Sequence, residues 1–233
     1  IENGLVATEN EIGHFNIGIK DGKIAYLGDE NLNAEFKINA SDLIVLPGGI
    51  DPHVHVDQPS GDDVIMADNF QTATKSAAAG GNTTILPFAM QIKGQSLRKC
   101  VEDYHKKAQG NMYIDTSFHL IISDPTPQVL GQELPALSKD GYTSFKVFMT
   151  YDDLVLNDKE LIEVFDVAKQ LKTLVMVHAE GYDSIKYLSD KFEKEGKTAP
   201  YYHAPTRPQI VEREATHRAI SHAQIVDIPI MIV

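Results

Sequence analysis

An α/β fold built on parallel βα units is predicted for most of this chain, with a small all-β unit ahead of it. Three observations carry that expectation. From Leu43 onward, apolar strand-like runs alternate with amphipathic helical stretches at spacings of about 30 to 40 residues. The 233 residues are 42% hydrophobic, enough for one large core or for one core and part of another. Before Leu43 the rhythm differs: short β-type runs are separated by turn signals, with no helical period.

In the first region, strands are expected at residues 4–7, 15–19, 23–28 and 35–38, and Asp21-Gly22 is a strong hairpin signal between the second and third. Such a unit is too short to close a sandwich alone, because strands with one apolar face need a second sheet to cover it. In the second region, strands are expected at residues 48–56, 82–90, 115–123, 144–149, 173–179 and 228–233. Helices are expected at 68–79, 95–108, 128–139, 158–171, 182–195 and 208–223. Six strands with interleaved helices suit a (β/α)8 barrel or an open doubly wound sheet, and periodicity alone does not separate the two. No short repeat or low-complexity tract interrupts the pattern. The apolar ending Pro229-Ile230-Met231-Ile232-Val233 has no helix after it, so a longer protein is expected.

Lys plus Arg number 21 against 33 Asp plus Glu, and the net charge of −12 argues against a nucleic-acid or anionic-membrane partner. Cys100 is the single cysteine, which excludes an internal disulfide and a cysteine-rich zinc module. The start, Ile1-Glu2-Asn3-Gly4, has no initiator Met and no secretory pattern, and no run approaches the roughly 20 apolar residues of a membrane span. The expectation is a soluble, cytoplasmic protein with residues preceding Ile1.

Chemistry enters at His53-Val54-His55. In an extended chain, residues two apart share a face, so both imidazoles can reach one metal ion. An arbitrary His-x-His is more often surface or core decoration, but this one closes a strand delivered by Pro47-Gly48-Gly49-Ile50-Asp51-Pro52. Asp57 follows at the strand's carboxyl end, where parallel sheets hold their sites. His178 ends the apolar strand Leu174-Val175-Met176-Val177, either as a core histidine bonded to a backbone carbonyl or as a further ligand; zinc suits nitrogen donors. Lys146 sits inside Phe145-Lys146-Val147-Phe148-Met149. A buried, unpaired ammonium is costly, so this lysine either snorkels to solvent, or is neutral, or is chemically changed. A neutral amine adds carbon dioxide to become a carbamate whose two oxygens could bridge two cations.

Several segments occur in the order found in one family. Leu46-Pro47-Gly48-Gly49-Ile50-Asp51-Pro52-His53-Val54-His55 comes first, then Asn69-Phe70 through Ala79-Gly80-Gly81-Asn82-Thr83-Thr84, then Lys146-Val147-Phe148-Met149-Thr150-Tyr151. His178-Ala179-Glu180 and Arg207-Pro208 with Glu212, Glu214, Ala215 and Arg218-Ala219-Ile220 complete the set. Together they resemble the dihydropyrimidinase and D-hydantoinase family of cyclic amidohydrolases over nearly the whole chain. The resemblance implies a TIM-like (β/α)8 barrel, here its first six strands over residues 48–233, and part of a small β-sandwich over residues 1–47. It implies two divalent metal ions, usually zinc. His53 and His55 would hold the more buried metal, Lys146 as N6-carboxylysine would bridge both, and His178 would hold the second. Tyr151 would contact the substrate and hydrogen-bond its oxygen as the tetrahedral intermediate forms.

The activity implied is hydrolysis of 5,6-dihydropyrimidines and hydantoins to N-carbamoyl amino acids by a metal-activated bridging hydroxide, in a homo-oligomer, dimer or tetramer. A further metal-binding histidine and the general-base aspartate are expected beyond Val233. One departure stands out: the family often continues His-Ala-Glu with Asn-Gly, where this chain has Gly181-Tyr182. Allantoinases and dihydroorotases use similar ligands on other ureide rings; the tyrosine after the fourth strand favours the first reading. Collapsin-response-mediator proteins share the fold as non-catalytic scaffolds, but they lack the metal ligands, whereas this chain has all four.

Overall fold

A computed structural model describes residues 1–61 and 64–233 and divides into two compact units, Ile1–Gly49 and Ile50–Val233. In the first unit, β1 (Gly4–Ala7), β2 (Ile12–Lys20), β3 (Lys23–Gly28) and β4 (Ile44–Val45) form one sheet in the order β3-β2-β1-β4. The hairpin joining β2 and β3 turns at Asp21 and Gly22, both with positive φ (52° and 71°), the backbone of a two-residue type I′ turn. Residues 35–38 do not form the strand their alternation suggests. Only an isolated bridge between Glu2 and Asn39 forms there, and the fourth strand is β4, parallel to β1. Phe36 is 79% exposed. Val6 and Ala40 are the buried apolar side chains of this unit among the described residues.

The second unit runs β5 (Gly49–Val54), α1 (Phe70–Ala79), β6 (Asn82–Met90), α2 (Leu97–Ala108), β7 (Asp115–Thr116), β8 (His119–Ile121) and α3 (Leu134–Lys139). It continues with β9 (Ser144–Phe148), α4 (Asp158–Leu171), β10 (Leu174–His178), α5 (Tyr182–Lys194), α6 (Gln209–Val226) and β11 (Ile230–Ile232). Its sheet has the order β11-β10-β9-β8-β6-β5, with β7 paired to β6. Strands that neighbour each other in space also follow each other along the chain, with helical connections. A doubly wound sheet reverses its order at a switch point, whereas this one never does, so the architecture is a half-barrel of the (β/α)8 kind.

Two local departures have identifiable causes. Residues 115–123 break into β7 and β8 because the Thr116 hydroxyl donates to the Ile85 carbonyl (3.1 Å) and competes with the ladder. The helix expected over 128–139 opens with a π turn, Val129–Glu133, in which the Leu134 N–H reaches back to Val129. Pro135 has no N–H to give the carbonyl four residues earlier, which lets the register slip by one.

The main core lies between the outer face of the sheet and the helices. Phe145, Val147, Val175 and Val177 meet Leu161, Val164, Phe165 and Ala168 of α4 there, all fully buried. Each of these valine, leucine and phenylalanine side chains contributes about 1.5–3 kcal/mol on leaving water. A capping box starts α4: Asn157 Oδ1 accepts from the Glu160 N–H (3.0 Å), and the Glu160 carboxylate accepts from the Asn157 N–H (2.8 Å). Among the described residues no helix is long and apolar enough to cross a membrane.

Candidate metal centre

Strand alternation decides which side chains face inward. With Phe145 and Val147 turned to the helices, Lys146 and Phe148 face the concave side. The register then aligns Ile121 and Met176 with Lys146, His178 with Phe148, and Phe88 with His119. Where these strands end, His53, His55, Lys146, His178 and Tyr151 line a single cavity of about 280 Å³, together with Gln58, Ile121 and Phe148.

Phe88, fully buried, is the floor of the histidine pair. The His53 ring meets it edge-on at 4.8 Å, the His55 ring stacks on it at 4.9 Å, and the two imidazoles stand 5.6 Å apart. Gln58 sets the tautomer of His55. Its amide nitrogen donates to the Phe88 carbonyl (3.1 Å), which turns its oxygen to His55 Nδ1 at 2.7 Å. An oxygen can only accept, so Nδ1 carries the proton and Nε2 keeps its lone pair for a cation. Burial, and then the positive charge of Lys146, push His53 below its ordinary pKa and favour the neutral, ligating form.

Lys146 is 2% exposed. Its Nζ lies 5.3 Å from the centre of the Phe88 ring and 5.0 Å from that of Phe148, and burial alone lowers its pKa from 10.5 to about 8. It does not snorkel. An amine with this pKa is substantially neutral a little above physiological pH, the form that adds carbon dioxide. On the far side, His178 stacks on Phe148 at 5.4 Å and lies 5.3 Å from the Tyr151 ring. Its Nε2 is 2.9 Å from Glu180 Oε2; the carboxylate accepts, which leaves Nδ1 as the lone-pair nitrogen. Tyr151 is 42% exposed, with φ +72°, and burial followed by the charge of Glu180 raises its pKa, so the hydroxyl stays a donor.

Among the described residues no three His, Cys, Asp or Glu side chains could hold a metal ion by themselves. The donor set fits two divalent cations only when Lys146 is counted. Three lone-pair imidazoles bracket an uncompensated amine, and a carbamate there would bring the missing anionic oxygens. Asp57, at the end of the His53 strand, is not brought in. Its backbone turns at φ +51°, and Lys107 holds its carboxylate at 3.1 Å and its carbonyl at 2.6 Å.

Sequence reasoning overlooked three contributors: Gln58, Glu180 and His119. Buried His119 donates from Nε2 to the Pro52 carbonyl (2.8 Å) and so accepts at Nδ1 from the Ser144 hydroxyl (2.5 Å), tying the His53 strand to the Lys146 strand. The parity of His119 with Phe88 in the register was the only available signal for it, and it depends on the strand break at residues 117–118.

The amidohydrolase family profile matches residues 44–207. The chain is 47% identical to a D-hydantoinase of Rhizobium radiobacter over 234 residues, which takes in 100% of this chain and 51% of the relative. It is 35% identical to a dihydropyrimidinase of Rattus norvegicus over 242 residues, 100% of this chain and 46% of that one. A crystal structure of a D-hydantoinase superposes with a TM-score of 0.90 at 41% identity, covering 99% of this chain and 50% of the other. A dihydropyrimidinase from Brevibacillus agri does so with 0.89 at 38%, again covering 99% and 50%. The chain therefore spans about half the length of the relatives it matches.

Proposed function

This chain belongs to the amidohydrolase family, and from that premise we propose that the protein hydrolyses cyclic amides of the hydantoin and 5,6-dihydropyrimidine type to N-carbamoyl amino acids. The observation that carries the reading is the convergence of three imidazoles, a buried amine and a tyrosine hydroxyl on one cavity at the carboxyl ends of the strands. His53 and His55 would hold one divalent cation, zinc by the chemistry of the donors, and His178 would hold a second. Carbon dioxide would add to the neutral Lys146 amine: a C–N bond forms and a proton leaves to water, and the carbamate so made would supply the anionic oxygens that the three imidazoles lack. When bound, the metal pair supplies an acidified water and polarises the attacked carbonyl.

Two further roles fall to groups of this chain. Phe88, Phe148 and Ile121 keep the cavity floor apolar, which strengthens every charge interaction above it. Tyr151 donates its hydroxyl hydrogen to the substrate oxygen as negative charge develops there, and its raised pKa keeps that hydrogen in place. Steady-state rates of the full-length protein on hydantoin, dihydrouracil, allantoin and dihydroorotate test the proposal. Hydrolysis of the first two, abolished by a chelator and restored by zinc, is the expected result. Turnover confined to allantoin or dihydroorotate would reassign the substrate, and no metal-dependent turnover on any of the four would overturn the reading.

A further inference from the structure

Tyr151 holds a backbone conformation, φ +72°, that bulky residues avoid, so something must hold the segment around it. Its carbonyl accepts from the N–H groups of Leu154 (3.0 Å) and Val155 (2.8 Å). The next residue, Asp152, is gripped from two sides. Lys93 Nζ donates to its carbonyl at 3.1 Å, and the Tyr182 hydroxyl donates to its carboxylate. Tyr182 also donates its backbone N–H to the Met149 carbonyl at 3.3 Å. One residue thus fastens the segment two positions before Tyr151 and one position after it.

Gly181 shapes the turn that presents Tyr182. A Cβ on Gly181 would come within 3.3 Å of the Glu214 carboxylate and of Val211, so glycine lets the start of α5 lie close against α6. Tyr182, first residue of α5, then faces the Tyr151 segment. We propose that Tyr182 is a positioning residue: it holds Asp152 and Met149 so that the strained Tyr151 aims its hydroxyl at the substrate oxygen. The inference rests on the reading of Tyr151 as the oxyanion donor.

A double-mutant cycle on the metal-loaded full-length protein tests it, with hydantoin as substrate. Tyr182→Phe keeps the ring and the backbone bond but removes the hydroxyl. Turnover should fall about three- to tenfold, as for one lost hydrogen bond, with KM and bound metal per chain unchanged. Added to Tyr151→Phe, the same change should cost nothing more, because the group it positions has gone. Asp152→Ala removes the acceptor from the other side and should reproduce the pattern, which covers the case in which Tyr182→Phe folds poorly. Normal turnover in Tyr182→Phe, or an equal fall on both backgrounds, beside an impaired Tyr151→Phe chain overturns this inference alone. A Tyr151→Phe chain with full turnover overturns the oxyanion reading and this inference with it.

Discussion

The two faces of the half-barrel sheet are made by the same strands and obey different rules. On β9, Phe145 and Val147 point outward into the helices at 0% exposure, while Lys146 and Phe148, one residue out of phase, point inward. Outward, every side chain adds apolar burial. Inward, an amine has been set among Phe88, Phe148, Ile121 and Met176, where its charged form is penalised. A face selected for stability alone would carry leucine or methionine at that position. The difference teaches that the inner face gives up stability for chemistry, and it can be tested one face at a time.

The largest effect is expected on the inner face. Lys146→Ala in the full-length protein should lower turnover by on the order of 10³-fold or more, since in the proposed mechanism it removes the group that both cations share. Metal analysis should show their loss. A variant that kept both metals and normal rates would remove the lysine from the mechanism. On the outer face the converse holds. Phe165→Ala, in fully buried α4 packing, should cost about 3–5 kcal/mol in urea unfolding while the folded fraction keeps its specific activity. Loss of activity in protein that stays folded would show that the faces are not separable.

A third test turns on pH. In the metal-free, carbonate-free protein the Lys146 pKa is about 8, against an ordinary 10.5. Below about pH 8 both folded and unfolded states hold the proton, and the folded state carries the whole penalty, on the order of 3 kcal/mol. Between pH 8 and 10.5 the unfolded chain binds more protons than the folded one, so stability should rise with pH across that window. Lys146→Met should abolish this rise and stabilise the metal-free protein at pH 7. A methionine variant less stable than the parent at pH 7 would contradict the penalty itself.

Much of this was legible in the sequence where the deciding interactions are local. The expected bounds of α4 agree with the structure because Asn157 and Glu160 cap it three residues apart and Leu161, Val164, Phe165 and Ala168 keep a helical period. The strand 82–90 is also found as expected, its apolar and β-branched run continuing through Pro87. Residues 35–38 failed as a strand because alternation describes a face but supplies no partner edge. Barrel and doubly wound sheet have the same local rhythm, and only the spatial order of the strands separates them. At the site, the histidines and the lysine stood out by type within apolar strands. Their supports did not: His119 and Pro52 are 67 residues apart and Gln58 and Phe88 are 30 apart, so no window of sequence shows that they meet.

Gln58 gives the smallest and most discriminating test, because it touches the inner face without any claim to be a ligand. Its amide has two ends with fixed partners, the Phe88 carbonyl and His55 Nδ1, and together these orient the ring and keep Nε2 unprotonated. Gln58→Ala leaves His55 free to rotate and to place its proton on either nitrogen. Affinity for zinc in a chelator competition should fall about 10- to 100-fold, the usual cost of losing an orienting partner of a metal-binding histidine. The thermal midpoint of the metal-free protein should change little, since Gln58 lies outside the apolar core of the sheet. Gln58→Glu separates orientation from mere contact: it keeps an acceptor for Nδ1–H but sets a carboxylate against the Phe88 carbonyl, so it should recover only part of the loss. Unchanged zinc affinity in Gln58→Ala would mean that His55 is oriented by Phe88 stacking alone, and the tautomer argument would have to be abandoned.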